Sequence, residues 1–336
     1  MSVSKRPVLV TGAAGFIGMH VAAALLDAGE QVVGVDNFDP YYDVRLKEAR
    51  VAQLARHGGF SLVRADLADE GTGSSLLREH GCDRVVHLAA QAGVRHSLVA
   101  PESYVRNNLV AFGHLLEACR HHPVAHLVYA SSSSVYGANH VLPFSEDQRV
   151  DRPVSLYAAT KAANELMAYS YSHLFGIPAT ALRFFTVYGP WGRPDQAAML
   201  FASAMESGRP IAVFNGGRMQ RDFTYIDDVA NGVVRALASP PGRTDENVRH
   251  AVFNLGHHEP VELETFIATL ERLLGRRATR DYRPMQPGDV PATFADIERA
   301  RAAFGFAPRT SLEEGLRRFV AWYRDYYGER PAAPGC

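Results

Sequence analysis

Lysine is almost missing from this 336-residue chain. Only Lys5, Lys47 and Lys161 occur, so 32 of the 35 basic residues (35 less 3) are arginine. Cysteine is equally scarce. Cys82, Cys119 and Cys336 are scattered and odd in number, which excludes a disulfide framework and fits a reducing cytoplasm. No apolar run approaches the ~18 residues a membrane span needs. The run within "MSVSKRPVLVTGAAG" is also too short for a secretory signal. Neither sign of charge dominates: the formal charge is −1, so no global field draws nucleic acid or an anionic membrane, and any anion must be held by a local site. Internal repeats and low-complexity blocks are absent. So is the His-Glu-x-x-His spacing, and the pairs His121-His122 and His257-His258 are adjacent, so their side chains diverge; no metal is expected.

What is present is a core. An apolar fraction of 47% is ample for burial, and the length suits one large domain with a smaller partner. "PVLV" (7–10), "QVVGVD" (31–36), "FSLVRAD" (60–66), "DRVVHLAA" (83–90) and "AHLVYASSSS" (125–134) are apolar runs separated by helical stretches. Strand alternating with helix predicts an α/β fold with a doubly wound parallel sheet, and ligands then bind at the carboxyl ends of the strands. The first strand-to-helix turn reads "TGAAGFIG", with Gly12, Gly15 and Gly18. They permit the tight turn, the approach of backbone to a pyrophosphate and close helix packing, while the helix N-terminus offers amides to the phosphate. The helix that follows ends at Gly29. Asp36 closes the next strand, 18 residues after Gly18, where a carboxylate accepts from a ribose 2′-hydroxyl and repels a 2′-phosphate; NAD is expected over NADP. Asp66-Leu67, ending the third strand, is a weaker candidate for the adenine end, since on its own such a pair is more often just a strand-end turn.

"SLYAATKAANELMAYSYSHLFG" (155–176) predicts a helix ending at Gly176, with Tyr157 and Lys161 four apart on one face. With 14 tyrosines and three lysines in 336 residues, chance supplies only ~0.1 such pairs. A lysine in an arginine-using chain points to a task for a compact ammonium. A phenol is a poor base near neutrality unless a cation stabilises its anion, and Lys161 provides one. Upstream, "ASSSSVYG" (130–137) adds hydroxyls that can share a proton with a substrate alcohol; Ser132 is favoured, then Ser134, and spacing does not choose between them.

With these residues assembled, the chain resembles the extended short-chain dehydrogenase/reductase family of NAD-dependent sugar-nucleotide epimerases and dehydratases. The likeness runs through "TGAAGFIG", "HLAAQAGVRHS", "ASSSSVYG", "YAATK", "RFFTVYGPWGRPD" and "RDFTYIDDV", in order and over nearly the whole length. It implies a Rossmann domain over 1–183, with 222–256 returning to it, and a smaller substrate-binding α/β region over 184–221 and 257–330. The Pro- and Ala-rich tail 331–336, with Cys336 an exposed thiol, is expected to fray. Residues implied at the cofactor are Gly12, Gly15, Phe16, Ile17, Gly18, Asp36, Asn37, Asp66, Leu67, Ala89, Ala90, Gln91, Tyr157 and Lys161, together with Asn108, which also matches the family asparagine that orients the catalytic-helix backbone. A nucleoside-diphosphate sugar is implied against Arg95, Ser133, Val213, Phe214 and Asp289, with Arg221 on the diphosphate.

Galactose-type epimerases commonly carry Asn where this chain has Thr186, and an Arg near "MQPGD" (285–289), where none stands here. The loop "RFFTVYGPWGRPD" resembles instead that of the UDP-glucuronic acid 4-epimerases. A sugar carboxylate taken out of water needs charged or multiple donors. Arg193 offers a bidentate fork and Thr186 a hydroxyl and an amide. The resemblance implies NAD-dependent epimerisation of UDP-glucuronate to UDP-galacturonate at C4. Decarboxylation to UDP-xylose and epimerisation of UDP-glucose use the same Ser–Tyr–Lys machinery and are its rivals. A non-catalytic dinucleotide-binding protein is expected to have lost Tyr157 or Lys161, and metalloenzyme chemistry has no ligand spacing behind it. Apolar positions in 101–121 and 155–175 exceed what one core face needs; in the resembled family such helices pair into a dimer bundle, so the resemblance implies a homodimer, while a buried intramolecular contact would give the same pattern.

Overall fold

Val8–Thr11 (β1) is apolar at its first three positions because both of its faces are covered: Val8 and Val10 enter one core and Leu9 another. Burial on both faces is why parallel strands read as unbroken apolar runs. A computed structural model describes residues 6–286 and 288–328; Lys5, Pro287 and the tail with Cys336 lie outside the described residues. The strands that follow β1 are Val32–Asp36 (β2), Phe60–Arg64 (β3), Arg84–His87 (β4), His126–Ser132 (β5), Ala179–Phe184 (β6), Thr186–Tyr188 (β7), Ile211–Phe214 (β8), Gln220–Tyr225 (β9), His250–Leu255 (β10), Pro260–Glu262 (β11), Arg280–Arg283 (β12) and Ala292–Thr293 (β13). Seven of them form one parallel sheet in the order β10-β6-β5-β4-β1-β2-β3. The chain runs outward from β1 to β3 and then returns to the other side of β1, so the order reverses between β1 and β4. A crevice opens at the carboxyl ends there.

The helices are Phe16–Asp27 (α1), Val44–Leu54 (α2), Thr72–His80 (α3), Pro101–Tyr104 (α4), Ala111–His121 (α5), Leu156–Phe175 (α6), Ala197–Glu206 (α7), Ile226–Leu237 (α8), Leu263–Leu274 (α9), Glu298–Phe304 (α10) and Leu312–Tyr327 (α11). A π-helical stretch, Val105–Val110, joins α4 to α5. Leu76, Leu115 and Ala168, from α3, α5 and α6, help build the core on one sheet face. Residues of α1 and α8 build the other, which runs on into Phe266 and Phe319. That second layer is organised by β9, paired antiparallel with β11 and parallel with β13 and β7, while β8 pairs with β12.

Helix α6 inverts the usual amphipathic rule. Ser155 caps it, its side chain accepting from the Ala158 amide, and Gly176 ends it at φ +70. Its buried stripe includes Thr160, Lys161, Asn164, Glu165 and Ser172, whereas Leu166, Tyr169, Leu174 and Phe175 face outward. Polar groups inside a fold must be paired. Here they are, and Lys161 among them lines the crevice.

Candidate active site

The turn after β1 and the segment after β4 touch. Gly12 adopts φ +70, and a Cβ there would stand 2.7 Å from the Ala89 amide nitrogen. A Cβ on Gly18 would lie 2.0 Å from the Gly12 carbonyl oxygen, so α1 sits directly on its own entry turn. Thr11 fastens the two segments: its hydroxyl accepts from the Leu88 and Ala89 amides, both at 3.1 Å, and pairs with His87 Nδ1 at 2.8 Å. Burial pulls His87 down to about 3, with the Lys161 cation adding to the effect, so the ring is neutral at ordinary pH. Asp36 accepts from the Ala14 amide (3.1 Å) and the Phe38 amide (2.8 Å), with Lys47 Nζ at 3.5 Å. Its Oδ1 takes Phe38 and Lys47, and its Oδ2, with Ala14 alone, keeps a second lone pair for another donor.

A cavity of about 350 Å³ runs from this turn to Tyr157 and Arg193. Of the residues implied for the cofactor, Gly12, Gly15, Phe16, Ile17, Gly18, Asp36, Asn37, Asp66, Leu67, Ala89, Ala90, Gln91, Tyr157 and Lys161 all line it. Asn108 stands behind the wall instead. Its Nδ2 donates to the Gln91 carbonyl and to Thr160, and its Oδ1 accepts from the Gln91 amide. Thr160 in turn donates to the Tyr157 carbonyl. Asn108 thus ties the cavity wall to the first turn of α6, a cross-chain link rather than a helix cap. The cavity fits a dinucleotide on two counts. Gly15, as N-cap of α1, leaves the first amides of that helix without a side-chain cap. Gln91 Nε2 is buried without a hydrogen-bond partner among the described residues and lines the same space.

At the far end stand Ser132, Tyr157 and Lys161. Burial pushes the Tyr157 phenol up, while a hydrogen bond from Ser132 and the Arg193 cation pull it back. Lys161 Nζ donates to the Ala130 carbonyl at 2.9 Å, and burial lowers it to about 8, with Glu165 opposing. The serine run divides where β5 ends. Ser131 and Ser132 both line the cavity, Ser131 donating to Glu165, and Ser133 and Ser134 enter a 3-10 turn that does not line it. Ser132 Oγ also accepts from the Ser134 amide.

The sugar-side residues fall into two groups. Arg193 lines the cavity, but its fork already grips Asp195, with Nε to Oδ1 at 3.0 Å and Nη2 to Oδ2 at 2.9 Å; the Tyr41 hydroxyl donates to the same carboxylate at 3.3 Å. Thr186 opens β7 and is half-buried; its neighbours Phe185 and Val187 line the cavity and Thr186 itself does not. Outside that cavity, Arg95 stacks on the Phe214 ring at 4.4 Å and pairs with Asp289 at 3.2 Å. Arg221 donates to the Gln220 and Pro291 carbonyls, and burial pulls it down against the field of Asp289, with Arg95 adding. Arg95, from "AGVRHS", thus pairs with Asp289, and Arg221 lies in the field of both. Val213 faces the core and is fully buried.

Sequence reasoning did not find Asp195, Tyr41, the Glu165–Arg183 pair beneath Lys161, or Arg50. Arg183 forks Glu165 at 2.9 and 2.7 Å, and that pair is readable as a helix position four beyond Lys161. Arg50 left only one trace, a basic residue on the inner face of α2.

The family model described as "NAD dependent epimerase/dehydratase family" matches residues 8–256. A Rhizobium meliloti protein, "Probable UDP-glucuronate 4-epimerase", is 50% identical over 95% of this chain and 97% of its own length. "UDP-glucuronate 4-epimerase 2" of Arabidopsis thaliana is 47% identical over 97% of this chain and 78% of its own. The solved UDP-glucuronic acid 4-epimerase of Bacillus cereus, in complex with UDP-glucuronic acid and NAD, is 37% identical with a TM-score of 0.88, covering 96% of this chain and all of that one. A glycine turn and acidic strand end made for a dinucleotide, a Ser–Tyr–Lys group at its far end and these matches agree: the chain belongs to the NAD-dependent epimerase/dehydratase family.

Proposed function

We propose that this chain is a UDP-glucuronate 4-epimerase, interconverting UDP-glucuronate and UDP-galacturonate with NAD as resident cofactor. The observation that carries the reading is a guanidinium, Arg193, lining the same cavity as Tyr157 and Lys161 and close enough to act on the phenol. A neutral hexose has no use for a cation there; a sugar acid does. The relatives and the solved complex named above support the same substrate.

The Gly12–Gly18 turn, Asp36 and the wall 89–91 would hold NAD, which would supply the acceptor for the C4 hydride. The remaining work belongs to the protein. Tyr157 receives the C4 hydroxyl proton, Lys161 and the Ser132 hydroxyl stabilise the phenolate, and the same proton is given back when the alcohol reforms. Arg95 and Arg221 hold the diphosphate while the 4-keto sugar turns to present its other face. That intermediate is a β-keto acid and loses carbon dioxide when its carboxylate is stripped of hydrogen bonds. Arg193 and Thr186 oppose the loss by keeping the carboxylate bonded, which separates epimerase from decarboxylase. Residues 1–183 with 222–256 form the cofactor unit, and 184–221 with 257–330 the substrate unit.

We also propose a cytoplasmic homodimer. The dimer is supported by the outward apolar residues of α6 together with Val105 and Val110 on the neighbouring π-helical stretch. Location is supported by Cys82 and Cys119, buried free thiols that burial pushes up to about 11 and about 12 and so keeps inert. Among the described residues no helix is long and apolar enough to cross a membrane. The function is tested by product analysis. Purified protein given UDP-glucuronate yields UDP-galacturonate, and Tyr157→Phe yields none while keeping its NAD. Turnover by Tyr157→Phe at a tenth of the wild-type rate or more means that another group is the base.

A further inference from the structure

We infer that Arg50 is a positioning residue that couples the dinucleotide turn to the loop presenting Arg193, and so helps to set selectivity for an acidic sugar. The inference rests on the reading of Arg193 given above. Arg50 lies on α2, far in sequence from every motif of the site, and it is 0% exposed. Among the described residues no carboxylate pairs with it. Its guanidinium instead collects oxygens from two directions. Nη1 donates to the Ala14 carbonyl at 3.0 Å and to the Tyr42 hydroxyl at 2.6 Å; Nε and Nη2 donate to the Trp191 carbonyl at 3.1 and 2.6 Å, and Nη2 reaches the Gly192 carbonyl at 3.3 Å.

Both targets sit at the site. Ala14 belongs to the glycine turn, and its amide is held by Asp36. Trp191 and Gly192 immediately precede Arg193. Trp191 adopts φ +62, a left-handed backbone that is unfavourable for a bulky residue and persists only where its surroundings impose it. Two features impose it here. Two Arg50 N–H groups hold the Trp191 carbonyl from within, and the indole packs against Trp322 (5.2 Å) and Tyr326 (5.1 Å) of α11 from without. Burying a guanidinium is costly unless its donors are satisfied. The carbonyls and the Tyr42 hydroxyl satisfy them, and the five-donor fork bridges both segments at once. The direction in which Arg193 leaves the loop therefore depends on Arg50.

The test uses holoenzyme in a Tyr157→Phe background, where the sugar is bound without turnover, and compares UDP-glucuronate with UDP-glucose by calorimetry. Arg50→Lys keeps the charge but has no fork; Arg50→Met removes both. Each is expected to weaken UDP-glucuronate ~10- to 100-fold and UDP-glucose less than ~5-fold, with NAD content unchanged, as for loss of one or two charged hydrogen bonds. Because Arg50 acts through Arg193, adding Arg50→Met to Arg193→Ala is expected to cost the acid little more than Arg193→Ala alone. Equal weakening of both ligands, or additive losses in the double variant, overturns the coupling. If Arg193→Ala itself weakens both ligands equally, the reading of Arg193 fails first, and that result is visible without any Arg50 variant. Should neither Arg50 variant fold, Tyr42→Phe removes an acceptor from the same guanidinium. A smaller acid-selective loss with NAD retained then supports the coupling, and an unselective loss overturns it.

Discussion

Replacing Arg193 by alanine is the perturbation that bears most directly on substrate choice. The guanidinium has five N–H donors, of which two are engaged with Asp195 at 3.0 and 2.9 Å, leaving three for a ligand. A hydrogen bond to a charged partner contributes about 1.5–3 kcal/mol. One strong or two weaker bonds to a sugar carboxylate therefore come to about 3 kcal/mol, or ~150-fold in affinity. UDP-glucose offers a neutral hydroxymethyl at the same place, and its affinity is expected to move by less than ~5-fold. A second effect acts in the same direction. Burial raises Asp195 and Arg193 lowers it; without Arg193 a poorly paired carboxylate is left to face the sugar acid. The double variant Arg193→Ala, Asp195→Asn separates the two contributions, and it is expected to recover ~10-fold of the lost affinity. Calorimetry in the Tyr157→Phe background reads both ligands directly. Equal losses for acid and neutral sugar would refute the reasoning, because they would place Arg193 in the scaffold rather than at the carboxylate.

Further outcomes follow from the same geometry. Lys161 titrates near 8, so the cation beside the phenol is lost as pH rises through that value; turnover is expected to fall there, with no such limb in Lys161→Met, whose activity is ~10²-fold or more lower throughout. The unfolded chain keeps that proton to its ordinary value near 10.5, so between about 8 and 10.5 the unfolded state binds more protons and stability rises with pH, by about 3 kcal/mol relative to Lys161→Met in denaturant titrations. Gly18→Ala places a methyl 2.0 Å from the Gly12 carbonyl oxygen, and a loss of about 2–3 kcal/mol in stability with NAD released on gel filtration is expected. Leu166→Glu, at a side chain 73% exposed, is expected to give monomers in analytical ultracentrifugation while leaving the fold intact; an unchanged sedimentation coefficient argues against α6 as the interface.

The parallel sheet was legible because strands buried on both faces must be apolar throughout, and the turn at Gly12–Gly18 because its glycines are set by backbone contact. Tyr157 and Lys161 were legible as a pair because helical spacing fixes which side chains share a face. Ser132 was not separable from Ser134 in the sequence. The distinction arises where β5 stops and a 3-10 turn begins, a boundary one residue wide. Arg50 was invisible for a deeper reason: apart from the Tyr42 hydroxyl its acceptors are backbone carbonyls, two of them 36 and 141 residues away, and a carbonyl carries no residue identity. Asp195 was visible as a neighbour of Arg193 but not as its partner, since loop conformation decides whether two residues two apart face each other. The outward apolar face of α6 was seen as surplus; that its inward face carries the site is what makes the helix bury polar groups.

In the proposed reaction one carbon of an acidic sugar is oxidised and reduced again in place. This is tested most directly by supplying UDP-glucuronate deuterated at C4 in ordinary water and examining the product by NMR and mass spectrometry. The expected product is UDP-galacturonate with all six hexose carbons and the deuterium still at C4. UDP-xylose with released carbon dioxide, or UDP-galacturonate whose label has exchanged with solvent, would contradict the account.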